Sequence, residues 1–207
     1  MEMQVPAADA ARRALGFLTL EETAALAGAG AILPSPQVVL VSPGVVLGEG
    51  VVLWPGTVLQ RLEGGALSLG PGTACFPGTR IVAAGGHVRI GAEAEIGEEG
   101  GFTIKAEDGA VVEVGSGARL LGGGSLTLSN RIGRGAQVLG PIRCQNCRLG
   151  DGGTHRDPDP DSRGGVLKGA GVARNVDVPR GHAIQAFGLF GEAPLRPQSF
   201  FHPPPKG

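Results

Sequence analysis

The sequence predicts an all-β protein built as a parallel β-helix of hexapeptide repeats. Three observations carry that prediction. From Val41 to Val58 the chain reads VSPGVV-LGEGVV-LWPGTV, three six-residue blocks that each open on an aliphatic residue and place Gly fourth. The pattern returns in blocks beginning at Leu69, Cys75, Ile90, Val114, Ile132 and Leu149. Gly makes up 38 of 207 residues and recurs at fixed block positions rather than in linkers, against an ordinary share of roughly 7%. A six-residue unit cannot bury its own apolar face, so it must stack on copies of itself, and each sharp corner needs a residue without Cβ strain.

Residues 1–36 lack the repeat and carry helical signals. An Ala/Arg-rich stretch runs from Ala7 to Leu15, and Thr19-Leu-Glu-Glu22 has the spacing of a capping box opening a helix over Glu21–Ala29. Pro34 and Pro36 end it. Residues 37–186 form the β-helix domain, in which Val41, Leu47, Leu53, Leu69, Ile90, Ile96, Val114, Ile132 and Leu149 are expected to line one internal column. Out-of-step gaps at 53–69, 81–90 and 144–149 mark insertions or a deletion at corners. A second motif, Gly-Gly followed by strand-like alternation, begins at 64, 85, 100 and 123. Its unequal spacing of 21, 15 and 23 residues leaves longer, right-handed coils open for the middle of the chain. Residues 187–207 hold Phe187, Phe190, Phe200 and Phe201 among prolines, which reads as an extended arm that buries its rings on the column's flank or on a neighbouring subunit. Trp54 occupies a second block position and is expected to point outward, against the N-terminal helix or another subunit.

Composition excludes several classes of partner. Eighteen Lys and Arg against 19 Asp and Glu give a formal net charge of −1 with no basic block, which argues against nucleic acid. The longest near-apolar stretch, Thr23–Pro34, is too short to span a bilayer and follows Glu21 and Glu22, so the expectation is a soluble cytoplasmic protein without a membrane partner. Cys75, Cys144 and Cys147 make no disulfide framework, and Cys144-Gln-Asn-Cys147 lacks the second pair a zinc site needs. They are expected to be reduced, buried thiols, and no metal is predicted.

Two segments resemble the hexapeptide-repeat acyltransferases, and within them the acetyltransferase arm of the bacterial bifunctional enzyme that acetylates and uridylates amino-sugar phosphates. Ala25–Gln60 is similar to that arm's linker and first coils, and Val172–Phe187 (VARNVDVPRGHAIQAF) to the superfamily's closing coil. The resemblance implies a left-handed β-helix, a homotrimer, and transfer from acetyl-CoA or another acyl-CoA to an amino or hydroxyl group of a sugar or sugar nucleotide. Aligned on Leu149-Gly-Asp151, the position of that arm's catalytic His is taken by Gln145, whose amide cannot act as a base.

Polar residues concentrate in Gly152–Gly165, where no aliphatic residue stands at 155 or 161 and a loop is expected. Here His155 is the candidate general base, Asp157 the candidate group orienting its imidazole, and Arg156, Arg163 and Lys168 the candidate contacts to substrate phosphate or carboxylate. The alternation of Asp157, Asp159 and Asp161 also allows a weak surface cation site, although intervening prolines and a missing distal Glu argue against a calcium loop. His87 and His182 read as ordinary surface or interface residues. The competing reading is a non-catalytic oligomeric scaffold or binding module.

Overall fold

A computed structural model of the chain describes residues 4–202 and shows a parallel β-helix with three faces. Face A carries strands Leu40–Val41, Val58–Arg61, Arg80–Ala83, Thr103–Ala106, Ser125–Thr127 and Ile142–Gln145. Face B carries Val46–Leu47, Ala66–Leu69, His87–Ile90, Val111–Val114, Asn130–Ile132, Arg148–Leu149 and Asp177–Val178. Face C carries Val52–Leu53, Ala74–Cys75, Glu95–Ile96, Arg119–Leu121, Gln137–Leu139 and His182–Leu189. Near the end, the long strand Val166–Arg174 rounds a corner and serves faces C and A in turn.

Register explains why one aliphatic position per hexad suffices. On face B, Leu47, Leu69, Ile90, Val114, Ile132, Leu149 and Val178 pair rung upon rung. On face C the inward row is Leu53, Cys75, Ile96, Leu120, Val138, Leu167 and Ile184. All but one of the nine expected column residues are buried. Leu47 alone is partly exposed, because it belongs to the first full coil, where the stack has little above it. Burial pushes the Cys75 thiol up to about 12, and all three cysteines are free and buried, as expected.

The Gly-Gly motifs sit at two different corners, which accounts for their uneven spacing. Those at 64 and 85 open face B strands, and those at 100 and 123 open face A strands, one coil apart in each case. The middle coils therefore keep the same three faces. At the last C-to-A corner Gly140 and Gly169 take φ of +121° and +124°, and a Cβ on either would strike the carbonyl oxygen of the next coil, at Gly169 and Ala186 respectively. Only glycine fits there.

Both ends of the stack are closed. Helix α1 (Gln4–Ala14) leads to α2 (Leu20–Ala25), which opens on the expected capping box: Thr19 Oγ1 accepts from Glu22 N–H (3.2 Å) and Glu22 Oε2 from Thr19 N–H (2.8 Å). Arg12, buried without a carboxylate partner among the described residues, donates to Thr23 Oγ1 (3.2 Å) and the carbonyls of Leu18 (3.3 Å) and Gln37 (2.8 Å), clasping the helices to the first coil. Arg12→Met should cost about 2–3 kcal/mol, since it strands the buried Thr23 hydroxyl and two partly buried carbonyls at once. Chemical denaturation measures it, and a loss below ~0.5 kcal/mol would mean the clasp is idle.

The other end corrects the expected arm. Strand His182–Leu189 runs through the 186/187 boundary, and the chain then folds back rather than extending. Phe190 is 0% exposed and joins the core, while Leu195–Pro197 returns antiparallel to His182–Ile184. The Pro203–Pro205 run of the arm lies outside the described residues. Trp54 does face outward, 39% exposed, but its stacking partner is Phe76 on the next coil (6.3 Å, 9° between planes).

Candidate functional site

Between Leu149 on face B and Val166 on face C, the chain inserts a loop where the previous coil uses only Gly133–Ala136. Its base is pinched shut. Gly153 N–H donates to Ser162 carbonyl (2.8 Å) and Gly164 N–H to Gly153 carbonyl (2.9 Å), so residues 154–163 protrude while the rungs on either side stay in register. Arg163 buckles the protrusion, its Nε and Nη2 both donating to the Asp157 carbonyl (2.9 and 2.6 Å). The C-terminal return pins the outer edge: Ser199 N–H donates to Asp161 Oδ1 (2.8 Å), and this bond holds the Asp161 carboxyl below its usual range.

The loop, face C and the C-terminal return enclose a cleft of about 340 Å³. Its floor is the outward surface of the last rungs, including Gln137, Leu139, Lys168 and Gln185. His155 and Arg163 form the loop wall, and Gln198, Phe201 and His202 the other. Gln198 is itself buried and fixed by donation to Gly164 carbonyl (2.7 Å). No carboxylate lines the cleft among the described residues.

His155 is its most unusual group. The imidazole Nδ1 is buried and finds no hydrogen-bond partner among the described residues, a state that costs about 1–3 kcal/mol unless a water answers it. Burial foremost, then the charge of Arg119, holds its pKa below the ordinary 6.5; Glu95 opposes this, and Arg156 and Arg163 reinforce it. Arg119 is itself anchored to Glu95 (2.7 Å) on face C. The imidazole is thus biased toward its neutral, proton-accepting form.

The structure brings together three of the five expected site residues, His155, Arg163 and Lys168. Asp157 does not orient His155. Its carboxylate accepts Asp159 N–H (3.1 Å) in a local Asx turn favoured by the Asp-Pro repeat, which uses up its reach. Arg156 is exposed and contributes no wall to the cleft. Asp159 likewise accepts from Asp161 N–H and Ser162 Oγ, so Asp157 and Asp159 serve the loop's own backbone and side chains, and Asp161 the C-terminal return, rather than a common cation point. Among the described residues no group of three or more His, Cys, Asp or Glu stands close enough to hold a metal ion, and no helix is long and apolar enough to cross a membrane. Sequence reasoning missed Gln137, Gln185, Gln198 and His202; Gln137, standing in the outward position right after a Gly-x-Gly-Ala corner, carried the one readable signal.

Comparison with known proteins adds little. The chain matches no family model and no curated protein sequence. Among solved structures it is similar to a Bacillus cereus protein named as a candidate acetyltransferase, at 11% identity and a TM-score of 0.32, covering 81% of this chain and 83% of that one. A superposition so loose carries no weight for fold or activity, which rest on this chain's own pairing and side chains.

Proposed function

We propose that the chain is an acyl-CoA-dependent acyltransferase whose acceptor is a sugar or sugar nucleotide, with His155 as general base. The observation that carries the reading is an imidazole held neutral by burial on the wall of a cleft that, among the described residues, is otherwise lined by cations, amides, a second imidazole and apolar groups. A base of that kind removes the acceptor's proton as its nitrogen or oxygen attacks the thioester carbonyl. Leu139, next to Lys168 on the outward row of face C, gives the cleft an apolar contact that suits the thioester arm of an acyl-CoA, which would supply the activated acyl group. The hexad resemblance supports the same class. A homotrimer belongs to this reading, and the 82% exposed Phe187 and 57% exposed Leu189 are surface that assembly would cover; a monomeric mass by light scattering would remove it.

A specific observation favours a second reading, the non-catalytic scaffold. Gln145, standing where the resembled enzyme has its catalytic His, is locked on face A by Arg174 Nε and Nη2 (3.0 and 2.9 Å) and lies on a different face from the cleft. The two are separated by incubating the protein with acetyl-CoA and amino sugars, as free sugars, phosphates and nucleotides, and following released thiol and the unfolding temperature. Transfer activity is expected, together with stabilisation by acetyl-CoA. Neither signal, at millimolar concentrations, would leave the scaffold.

A further inference from the structure

The cleft has a chemistry more selective than "sugar". Its two permanent cations, Arg163 and Lys168, face no carboxylate on its walls, and Lys168 forms no ion pair among the described residues. Arg163 spends Nε and Nη2 on the Asp157 carbonyl, which fixes the guanidinium in place and leaves Nη1 without a partner among the described residues. Fixed, unneutralised cations in a concave site focus a positive potential where a ligand would sit. Beside them Gln137 and Gln185 make no side-chain hydrogen bond within the described chain, and both border the cleft, so their amides suit hydroxyl groups. A cleft of about 340 Å³ stands at the small end of the ~300–1,000 Å³ range of ligand sites. It suits one hydroxylated ring, not a whole nucleotide sugar.

We infer that the cleft is an acceptor site for a small polyhydroxylated anion, a single sugar-like unit bearing a phosphate or carboxylate, held by Arg163 and Lys168 with its reactive amine or hydroxyl toward His155. This rests on the proposed activity for the word acceptor, but the anion site stands without it. Arg163 and Lys168 take the charged group by charge-assisted hydrogen bonds, Gln137 and Gln185 the hydroxyls, and the His155 ring borders the reactive group. A nucleotide sugar would have to leave its base outside.

The test uses the full-length protein and calorimetric titration with glucosamine 6-phosphate, glucuronate, glucosamine, inorganic phosphate and acetyl-CoA, repeated on Lys168→Gln. Lys168 is exposed and outside the core, so the variant should unfold at the wild-type temperature. Saturable binding of glucosamine 6-phosphate or glucuronate is expected, with neutral glucosamine weaker by about tenfold or more and the variant weaker by a similar factor. The phosphate and carboxylate sugars tell which anion is preferred, and binding of inorganic phosphate alone at a comparable affinity would overturn the role of the hydroxyl-binding amides. Equal affinity for charged and neutral sugar, or a Lys168→Gln effect confined to acetyl-CoA, would overturn the inference while leaving the acyltransferase reading intact. Lysine-dependent binding of the anionic sugar with no acetyl-CoA binding would do the reverse.

Discussion

Phe190→Ala should lower the stability of the protein by about 3–5 kcal/mol, the range for deleting a fully buried aromatic side chain. The ring is 0% exposed at the end of the stack, packed by its short 3-10 turn against strands Val166–Arg174 and His182–Leu189. Its loss leaves the last coil facing water on the side where every other coil faces another coil. Phe200, 57% exposed and held over the Arg196 guanidinium (4.4 Å), is the matched control and should change stability by no more than ~0.5–1 kcal/mol. Urea titrations of both variants check this; equal losses would show that the end of the column is not closed by Phe190.

His155→Ala should lower acyl transfer by about 10²–10⁴-fold, the span typical of removing a general base, without touching the core. The pH profile has a fixed sign. Burial and the charges of Arg119, Arg156 and Arg163 outweigh Glu95, so the folded pKa lies below 6.5. The rate should therefore rise as pH increases through that lowered value and level off above it. Stability follows the same direction: as pH falls below 6.5 the unfolded chain takes up a proton that native His155 still refuses, and stability is lost until the folded pKa is passed. A rate limb with a midpoint above 6.5, or one that survives in His155→Ala, would assign the titration to another group.

Much of the architecture was legible because its signal is local and repeated. An inward aliphatic residue recurs in the chain at every sixth position wherever corners are short, so Leu53, Ile96 and Leu149 could be placed from spacing alone. What could not be read depends on contacts between distant segments. Phe190 is chemically the same as Phe187, yet one is sealed in the core and the other is 82% exposed, a difference decided by a chain reversal that no period announces. Arg12 looks like any helix-surface arginine until Leu18, Thr23 and Gln37 surround it. The candidate site was half legible. The loop declared itself by its missing aliphatic residues, but whether Asp157 turned to His155 or to its own backbone hung on Asx geometry, and Gln198 reaches the cleft from a segment separated from it by another coil.

The pinched base of the 150–165 loop makes the site a removable part. Leu149 still pairs with Val178, and Leu167 with Ile184, as though no insertion lay between them. Mutational drift in residues 154–163 is therefore insulated from the folding of the rungs, whereas drift at Gly140 or Gly169 is not. Such a scaffold can exchange one specificity for another by rewriting a single excursion, and the same property makes this corner the natural place to graft a foreign recognition segment onto the coil.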